Sequence, residues 1–367
     1  MGEVRAVGMK VQIRGTGLIG TSLGIALSRK GYAVTLSDPS PTAERLARDL
    51  GAGALVTGGG DEPDLIVVAA PPDVAGAVVQ CALADHPSSV VTDVASVKGV
   101  ILTHLIDVGA DLSRYVGGHP MAGRERSGAM HARGDLFEGR AWVIVPTDVS
   151  RTSATDLVQQ IARDAGSVTM VMAASEHDKA VATVSHVPQI VSSLVAAQLR
   201  LIDQDAVALA GQGLRDVTRI AASDPRLWTQ ILAGNAEAVG GVLRRVHGEL
   251  GELIEALHGL MPESDGLGSL DVVARALTAG NSGHALIPGK HGAAPAAYDS
   301  VTALVPDTPG ELARLLTDVG EAGVNLEDLR LDHGLGQPFG LAEILVVPAA
   351  AERLRRALER QGWRVLE

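Results

Sequence analysis

Residues 10–38 read KVQIRGTGLIGTSLGIALSRKGYAVTLSD, and this stretch decides the fold class. Val11 and Ile13 alternate with polar residues over Lys10–Arg14, the period of a strand. Gly15-Thr16-Gly17-Leu18-Ile19-Gly20 follows at once. Apolar residues then return at helical spacing over Leu18–Lys30, and a second strand, Ala33–Ser37, ends on Asp38. Strand, Gly-x-Gly-x-x-Gly turn and helix in this order mark a dinucleotide-binding unit. Gly15 permits the tight turn, Gly17 lets the backbone approach a pyrophosphate, and Gly20 lets helix and strand pack closely. The helix N-terminus offers unpaired N–H groups to phosphate. A carboxylate at Asp38 can accept both ribose hydroxyls and repels a 2′-phosphate, so NAD is expected rather than NADP. Gly15, Gly17, Leu18, Ile19, Gly20, Asp38 and Pro71 form the candidate cofactor set. A glycine-rich turn without ligand is the plainer alternative, and Arg14, just before the turn, can itself touch a phosphate.

Outward from this unit, strands are expected at Asp64–Ala69, Ser89–Asp93, Tyr115–Gly118, Ala141–Val145 and Val168–Val171. Helices are expected at Pro41–Leu50, Pro72–Ala84, Val97–Val108 and Ser153–Ala165. Such alternation predicts a mostly parallel sheet covered on both faces, an α/β Rossmann-type domain over 9–172. Residues 173–285 show helix signals only. Ser175-Glu176-His177-Asp178 resembles a capping box. Pro188 should kink the helix that follows. Ser223-Asp224-Pro225 opens another helix, which runs on through Val239, Leu243, Val246, Leu250, Leu253 and Leu257 at heptad-like spacing. That seam reads either as a buried face or as a subunit interface. Residues 286–298 form a Gly-, Ala- and Pro-rich linker. Residues 299–367 follow the order β-α-β-β-α-β, the ferredoxin-like pattern. Its first helix presents Leu312, Leu315, Leu316 and Val319 on one face.

The chain has 367 residues and a formal net charge of −12. That balance argues against a general nucleic-acid binder, which needs a basic footprint. It leaves a small anionic ligand open, because a local site can oppose the global charge. Aromatic residues are only 2%, so the cores rest on Ala, Val, Leu and Ile. One cysteine, Cys81, excludes an intramolecular disulfide and fits a reducing compartment. Its apolar-periodic surroundings predict a buried, inert thiol. The first residues contain no apolar h-region, so no signal peptide is expected, and no run is expected to span a bilayer. A cytoplasmic protein, without nucleic acid or membrane as partner, is the expectation.

Three further segments carry chemistry. Asp93-Val94-Ala95-Ser96-Val97-Lys98-Gly99 follows a strand, where open parallel sheets bind ligands. Ser96 or Lys98 can face a nicotinamide there, and helix capping by Ser96 is an equally good reading. In Gly117-Gly118-His119-Pro120-Met121-Ala122-Gly123, His119 follows a strand end, with glycines opening space around it. A histidine there can accept a hydroxyl proton during an oxidation. Arg215 to Trp228 mixes cations, a carboxylate and hydroxyls with a rare Trp, and arginine grips carboxylates bidentately. His186 lies near the Pro188 kink and either faces the same cleft or satisfies a core carbonyl. No metal site is visible, because the histidines are scattered and cysteines do not cluster. No Gly-x-Ser-x-Gly elbow supports a hydrolase.

Together these segments resemble the prephenate dehydrogenase family, with its arogenate-using relatives, over nearly the whole chain. The motifs are Gly15 to Ser22, Asp93 to Lys98, Gly118 to Gly123 and Thr218 to Trp228. The C-terminal unit, with its Asp307-Thr308-Pro309-Gly310 turn, is similar to an ACT regulatory domain. The resemblance implies that His119 takes the proton of the substrate 4-hydroxyl, that Ser96 orients it, and that Arg219 binds a substrate carboxylate. It further implies a polar network of Glu125, Asp216 and Arg219 gating the cleft. Ser223 belongs to the implied substrate set, and His186 and Trp228 would line the side-chain end of the pocket. It implies NAD-dependent oxidative decarboxylation of prephenate to 4-hydroxyphenylpyruvate, a homodimer formed through the helical domain, and tyrosine as effector near Gly310 and Asn325. Gln189 departs from the family, whose members often carry a histidine there. Arogenate or an amino-substituted prephenate is the alternative substrate. A β-hydroxyacid dehydrogenase would need a catalytic lysine in the helical region, where Lys179 stands alone. A non-enzymatic NAD- and amino-acid-sensing protein is opposed by the intact His119 and Arg219 segments.

Overall fold

Strand β1 (Lys10–Arg14) lies between two parallel neighbours, and its Val11 and Ile13 are fully buried. The computed structural model describes residues 8–56, 62–123, 128–262, 266, 268–287, 298–333 and 338–366. After β1 come α1 (Leu18–Arg29), β2 (Ala33–Ser37), α2 (Pro41–Asp49) and a short β3 (Ala54–Leu55) that the sequence pattern does not announce. Then follow β4 (Leu65–Val68), α3 (Pro72–Asp85), β5 (Val90–Asp93), α4 (Gly99–Asp107), β6 (Tyr115–Pro120), β7 (Ala141–Pro146), α5 (Thr152–Asp164) and β8 (Val168–Val171). The sheet order is β3-β2-β1-β4-β5-β6-β7-β8, and only the β6–β7 pairing is antiparallel. All four residues of β4 are buried, as both faces of a covered parallel sheet require. Leu65 and Val67 pack with Leu23 and Leu27 of α1 and Ile161 of α5. Ile66 and Val68 pack on the other face with Val79 of α3 and Ile101 and Leu105 of α4. Chain order reverses between β1 and β4, and the crevice outside their carboxyl ends is where such sheets bind ligands.

The buried face of α3 is Pro72, Ala75, Gly76, Val79, Ala82 and Leu83. Cys81 falls between these positions and is exposed, which corrects the buried-thiol expectation.

The helical segment begins with α6 (Ala174–Val181), whose N-cap is Ala173 rather than Ser175. Glu176 reaches back to the Ala173 N–H at 3.2 Å. The irregularity expected at Pro188 is a π-turn, Ala182–His186, one step before α7 (Val187–Gln198), where proline sits in the first turn. The helical run Ala174–Leu201 is, against expectation, long and apolar enough by length and composition to cross a membrane. Its His177, Asp178, His186 and Gln189 are nevertheless buried within the protein. Next come α8 (Gln204–Val207), α9 (Gln212–Thr218), a 3-10 turn at Arg219–Ala221, and α10 (Pro225–Gly234). Asp224 caps α10 by accepting from Arg226 N at 2.9 Å. The helix expected to continue into the heptad seam is broken at Asn235, and α11 (Ala236–Gly259) starts anew. On α11, Val239 is buried, whereas Val246, Leu250 and Leu257 are exposed. Helix α12 (Ser269–His284) follows.

The chain divides into two units, residues 1–247 and 248–367. The second holds β9 (Asp299–Pro306), α13 (Glu311–Glu321), β10 (Asp328–His333), β11 (Phe339–Val346), α14 (Pro348–Arg360) and β12 (Arg364–Leu366). Its antiparallel order β10-β11-β9-β12 places the first strand beside the third and the fourth, as a βαββαβ unit does. Leu315 and Val319 of α13 join Val301, Ala303, Ile344, Leu354 and Leu358 in its core. Leu316 does not share that face and is exposed.

Candidate active site

The glycine turn at the end of β1 is built for close approach. Gly15 has φ +109°, and a Cβ there would lie 2.4 Å from the carbonyl oxygen of Ala69, just past β4. A Cβ on Gly20 would lie 1.9 Å from the Gly15 carbonyl oxygen. Gly17 differs, because nothing stands within 4 Å of its Cβ position. It directly precedes α1, whose first N–H groups, from Leu18 and Ile19 on, lack intrahelical partners. Asp38 sits against this turn. Its Oδ2 accepts from Thr16 N at 2.7 Å and Thr16 Oγ1 at 3.0 Å, and its Oδ1 accepts from Ser40 N at 2.8 Å. Pro71, exposed, precedes α3 beyond β4. An open glycine flank, a helix N-terminus and a carboxylate at the switch point fit a dinucleotide. Arg14 bonds Gln12 at 3.2 Å and pairs with Asp85 at 3.8 Å.

Two strands along the sheet, β5 and β6 bring buried polar groups together. Asp93 ends β5, and its carboxylate forms an ion pair with Lys98 and accepts from Ala95 N at 2.9 Å and Tyr115 OH at 2.7 Å. Lys98 and Asp93 are both essentially inaccessible to solvent. Burial lowers the Lys98 pKa, while Asp93 opposes that shift. The glycines beside His119 do not leave empty space. A Cβ on Gly117 would meet Lys98 Cδ at 3.1 Å, and one on Gly118 the Asp93 carbonyl oxygen at 2.7 Å. His119 lies within β6, opposite Val143 of β7, rather than beyond a strand end. It is buried, and its pKa is pushed well below the ordinary histidine value by burial, then by His177, Lys98 and His186. A neutral, proton-accepting ring near pH 7 follows.

His119 Nδ1 lies 2.8 Å from His177 Nε2, and His177 Nδ1 lies 2.7 Å from Asp178 Oδ1. Asp178 also accepts from Lys98 N at 2.9 Å and Gly99 N at 2.7 Å. It thereby satisfies the first N–H groups of α4, the task that sequence spacing offers to Ser96. Ser96 is half-buried and does not cap that helix, whose N-cap residue is Lys98. Burial alone would raise the Asp178 pKa, but the bonds from His177, Lys98 and Gly99 hold it below the usual range. His186 is buried beside this chain, its Nδ1 3.2 Å from Asn235 Nδ2 and its ring 6.1 Å from Trp228, edge to face.

The Thr218–Trp228 segment is tied in by Gln189. Gln189 Nε2 donates to the Ile220 carbonyl at 3.0 Å, and Ser223 Oγ donates to the same carbonyl at 2.6 Å and to Gln189 Oε1 at 3.4 Å. Trp228 is half-buried. Arg219 and Asp216 are exposed, and Asp216 accepts from Gln212 at 2.8 Å. The structure thus joins His119, Lys98, His186 and Trp228 in one neighbourhood and leaves Arg219 and Asp216 on its surface. Glu125 lies outside the described residues. Gly310 precedes α13 with φ +95°, and Asn325 is exposed with its amide 3.4 Å from Glu327. Among the described residues no three His, Cys, Asp or Glu side chains group to hold a metal ion.

Sequence reasoning missed His177, Asp178 and Asn235. Sequence spacing presents the first two only as part of a helix start, and an adjacent His-Asp pair that the cap does not need is the available signal. A cavity of about 660 Å³ lined by Met9, Asp64, Ser88 and Leu157 lies at the amino ends of β1, β4 and β5, away from this chemistry.

Comparison with known proteins agrees with this geometry. Residues 23–171 match the model of the prephenate dehydrogenase nucleotide-binding domain, and residues 173–266 that of the prephenate dehydrogenase dimerization domain. A protein of Streptomyces niveus named "Probable prephenate dehydrogenase NovF" is 37% identical over 96% of this chain and 98% of its own. The crystal structure of prephenate dehydrogenase from Aquifex aeolicus in complex with hydroxyphenyl propionate and NAD+ is 27% identical, with TM-score 0.64, over 75% of this chain and 97% of that one. Synechocystis arogenate dehydrogenase is 25% identical, with TM-score 0.61, over 75% of this chain and 100% of that one.

Proposed function

Because the chain belongs to the prephenate dehydrogenase family, we propose that it catalyses the NAD-dependent oxidative decarboxylation of prephenate to 4-hydroxyphenylpyruvate. The observation that carries this reading is His119, buried, held neutral and placed two strands from the dinucleotide crevice. NAD+, when bound, supplies the hydride acceptor. Gly17 and the start of α1 would hold its pyrophosphate, and Asp38 its ribose. His119 takes the 4-hydroxyl proton, Ser96 orients that hydroxyl, Arg219 meets the substrate carboxylate, and Glu125 and Asp216 complete with Arg219 the polar network that gates the cleft. His186, Ser223 and Trp228 line the side-chain end. Exclusion of water around His119 keeps the ring a base until substrate arrives.

The reading includes a cytoplasmic homodimer, supported by the single cysteine and by the exposed Val246, Leu250 and Leu257 on α11. It divides the chain into a cofactor domain over 9–172, a helical domain over 173–285 and an ACT regulatory domain over 299–367. Tyrosine would bind near Gly310, whose surroundings are open, and Asn325.

The deciding measurement is NADH formation with prephenate and with arogenate, each with and without tyrosine. Prephenate-dependent NADH matched by 4-hydroxyphenylpyruvate, and inhibited by tyrosine, is expected. A kcat/KM that favours arogenate would move the substrate assignment. No NADH with either substrate, despite tight tyrosine binding, would point to a sensor instead.

A further inference from the structure

We propose that His177 and Asp178 are positioning residues that fix the tautomer of His119, so that Nε2 is its proton-accepting atom. The direction of each hydrogen bond follows from the end of the chain. An ionised carboxylate only accepts, and three donors converge on Asp178: His177 Nδ1 at 2.7 Å, Lys98 N at 2.9 Å and Gly99 N at 2.7 Å. Two of them are backbone groups that cannot reverse. Gly99 lets the carboxylate come this near, since a Cβ there would lie 2.8 Å from Oδ2.

With its proton on Nδ1, neutral His177 presents a lone pair at Nε2. The atom facing it, 2.8 Å away, is His119 Nδ1, which must therefore donate. Neutral His119 then has one unprotonated nitrogen, Nε2. When that nitrogen takes a proton, the imidazolium charge is steadied through His177 by the Asp178 carboxylate. Lys98, paired with Asp93, and His186 are the other titratable groups around the ring. Both disfavour a charge on the resting His119 ring, which leaves Nε2 bare until substrate arrives. His177 is fully buried, so water does not compete for Nε2. A buried histidine serving only as packing would not need a carboxylate clamped by two backbone N–H groups.

The inference rests on His119 as the base, yet it is tested on the resting protein. Imidazole ¹⁵N shifts of the wild-type protein should show His119 protonated at Nδ1 and bare at Nε2. The opposite tautomer overturns the proposal. In Asp178→Asn and His177→Asn, kcat should fall on the order of 10²-fold or more with KM for prephenate and NAD little changed. The acid limb of the kcat profile should move to lower pH in Asp178→Asn, because the imidazolium loses its counter-charge. Folded variants with wild-type kcat and an unmoved limb would also overturn it. Failure of the wild-type protein to make NADH would defeat the functional reading alone, since the tautomer is read without turnover.

Discussion

Asn235 fixes which nitrogen of His186 carries a proton. Its Nδ2 donates to the Asp178 carbonyl at 2.8 Å and stands 3.2 Å from His186 Nδ1. A carbonyl only accepts, so the amide is oriented, and its second hydrogen points at Nδ1 as acceptor. Neutral His186 therefore carries its hydrogen on Nε2. A second proton at Nδ1 would set two donors face to face.

Acid should therefore weaken the fold at this residue. The His186 pKa is lowered from 6.5 to about 4, first by burial and then by His177, against the opposing pull of Asp178. Between those values the unfolded chain binds more protons than the folded one. Stability present above about pH 6.5 is lost as pH falls, and the loss levels off below about 4. Urea midpoints across that window should fall less steeply in His186→Gln than in the wild-type protein. Parallel pH slopes for the two proteins would refute the assignment.

The Lys98–Asp93 pair makes a different prediction, about charge left without a partner. Both groups are buried, and Asp93 retains Tyr115 OH and Ala95 N when the ammonium is removed. Those two bonds do not neutralise a carboxylate. Lys98→Met should cost about 3–5 kcal/mol in equilibrium denaturation. The double variant Lys98→Met with Asp93→Asn should recover part of that loss, because no orphan charge remains. Equal losses in the single and double variants would show that the pair matters by shape alone.

These residues mark how far the sequence could be read. The glycine turn, Asp38 and the order of strands and helices are local patterns, and the structure realises them within a residue or two at most ends. Lys98 and His119 are visible as polar groups near strand ends. Their link to His177 and Asp178 is not, because Asp178 reaches Gly99 from 79 residues away and no local spacing encodes that contact. The same limit explains Ser96, which a neighbour-only argument makes a cap although a distant carboxylate already does the work. Cys81 fails for another reason. An apolar helix in an α/β layer is buried on one stripe only, and composition does not say which side of the stripe a small residue occupies.

Gly17 and Gly20 lie three residues apart in one motif, and their substitution by alanine should separate folding from binding. A Gly20 Cβ would stand 1.9 Å from a backbone oxygen, where no side chain can yield. Gly20→Ala should cost about 3 kcal/mol or more and lower Tm sharply. Gly17 has an open flank and a φ of −73°, which alanine adopts freely. Gly17→Ala should keep stability within about 0.5 kcal/mol of the wild-type protein. Its methyl group would occupy the space through which the backbone approaches a pyrophosphate. NAD affinity in that variant, measured by calorimetry, should fall at least about tenfold, some 1.4 kcal/mol. Unchanged NAD affinity in a well-folded Gly17→Ala protein would remove the turn from the cofactor site, whatever Gly20→Ala does to the fold.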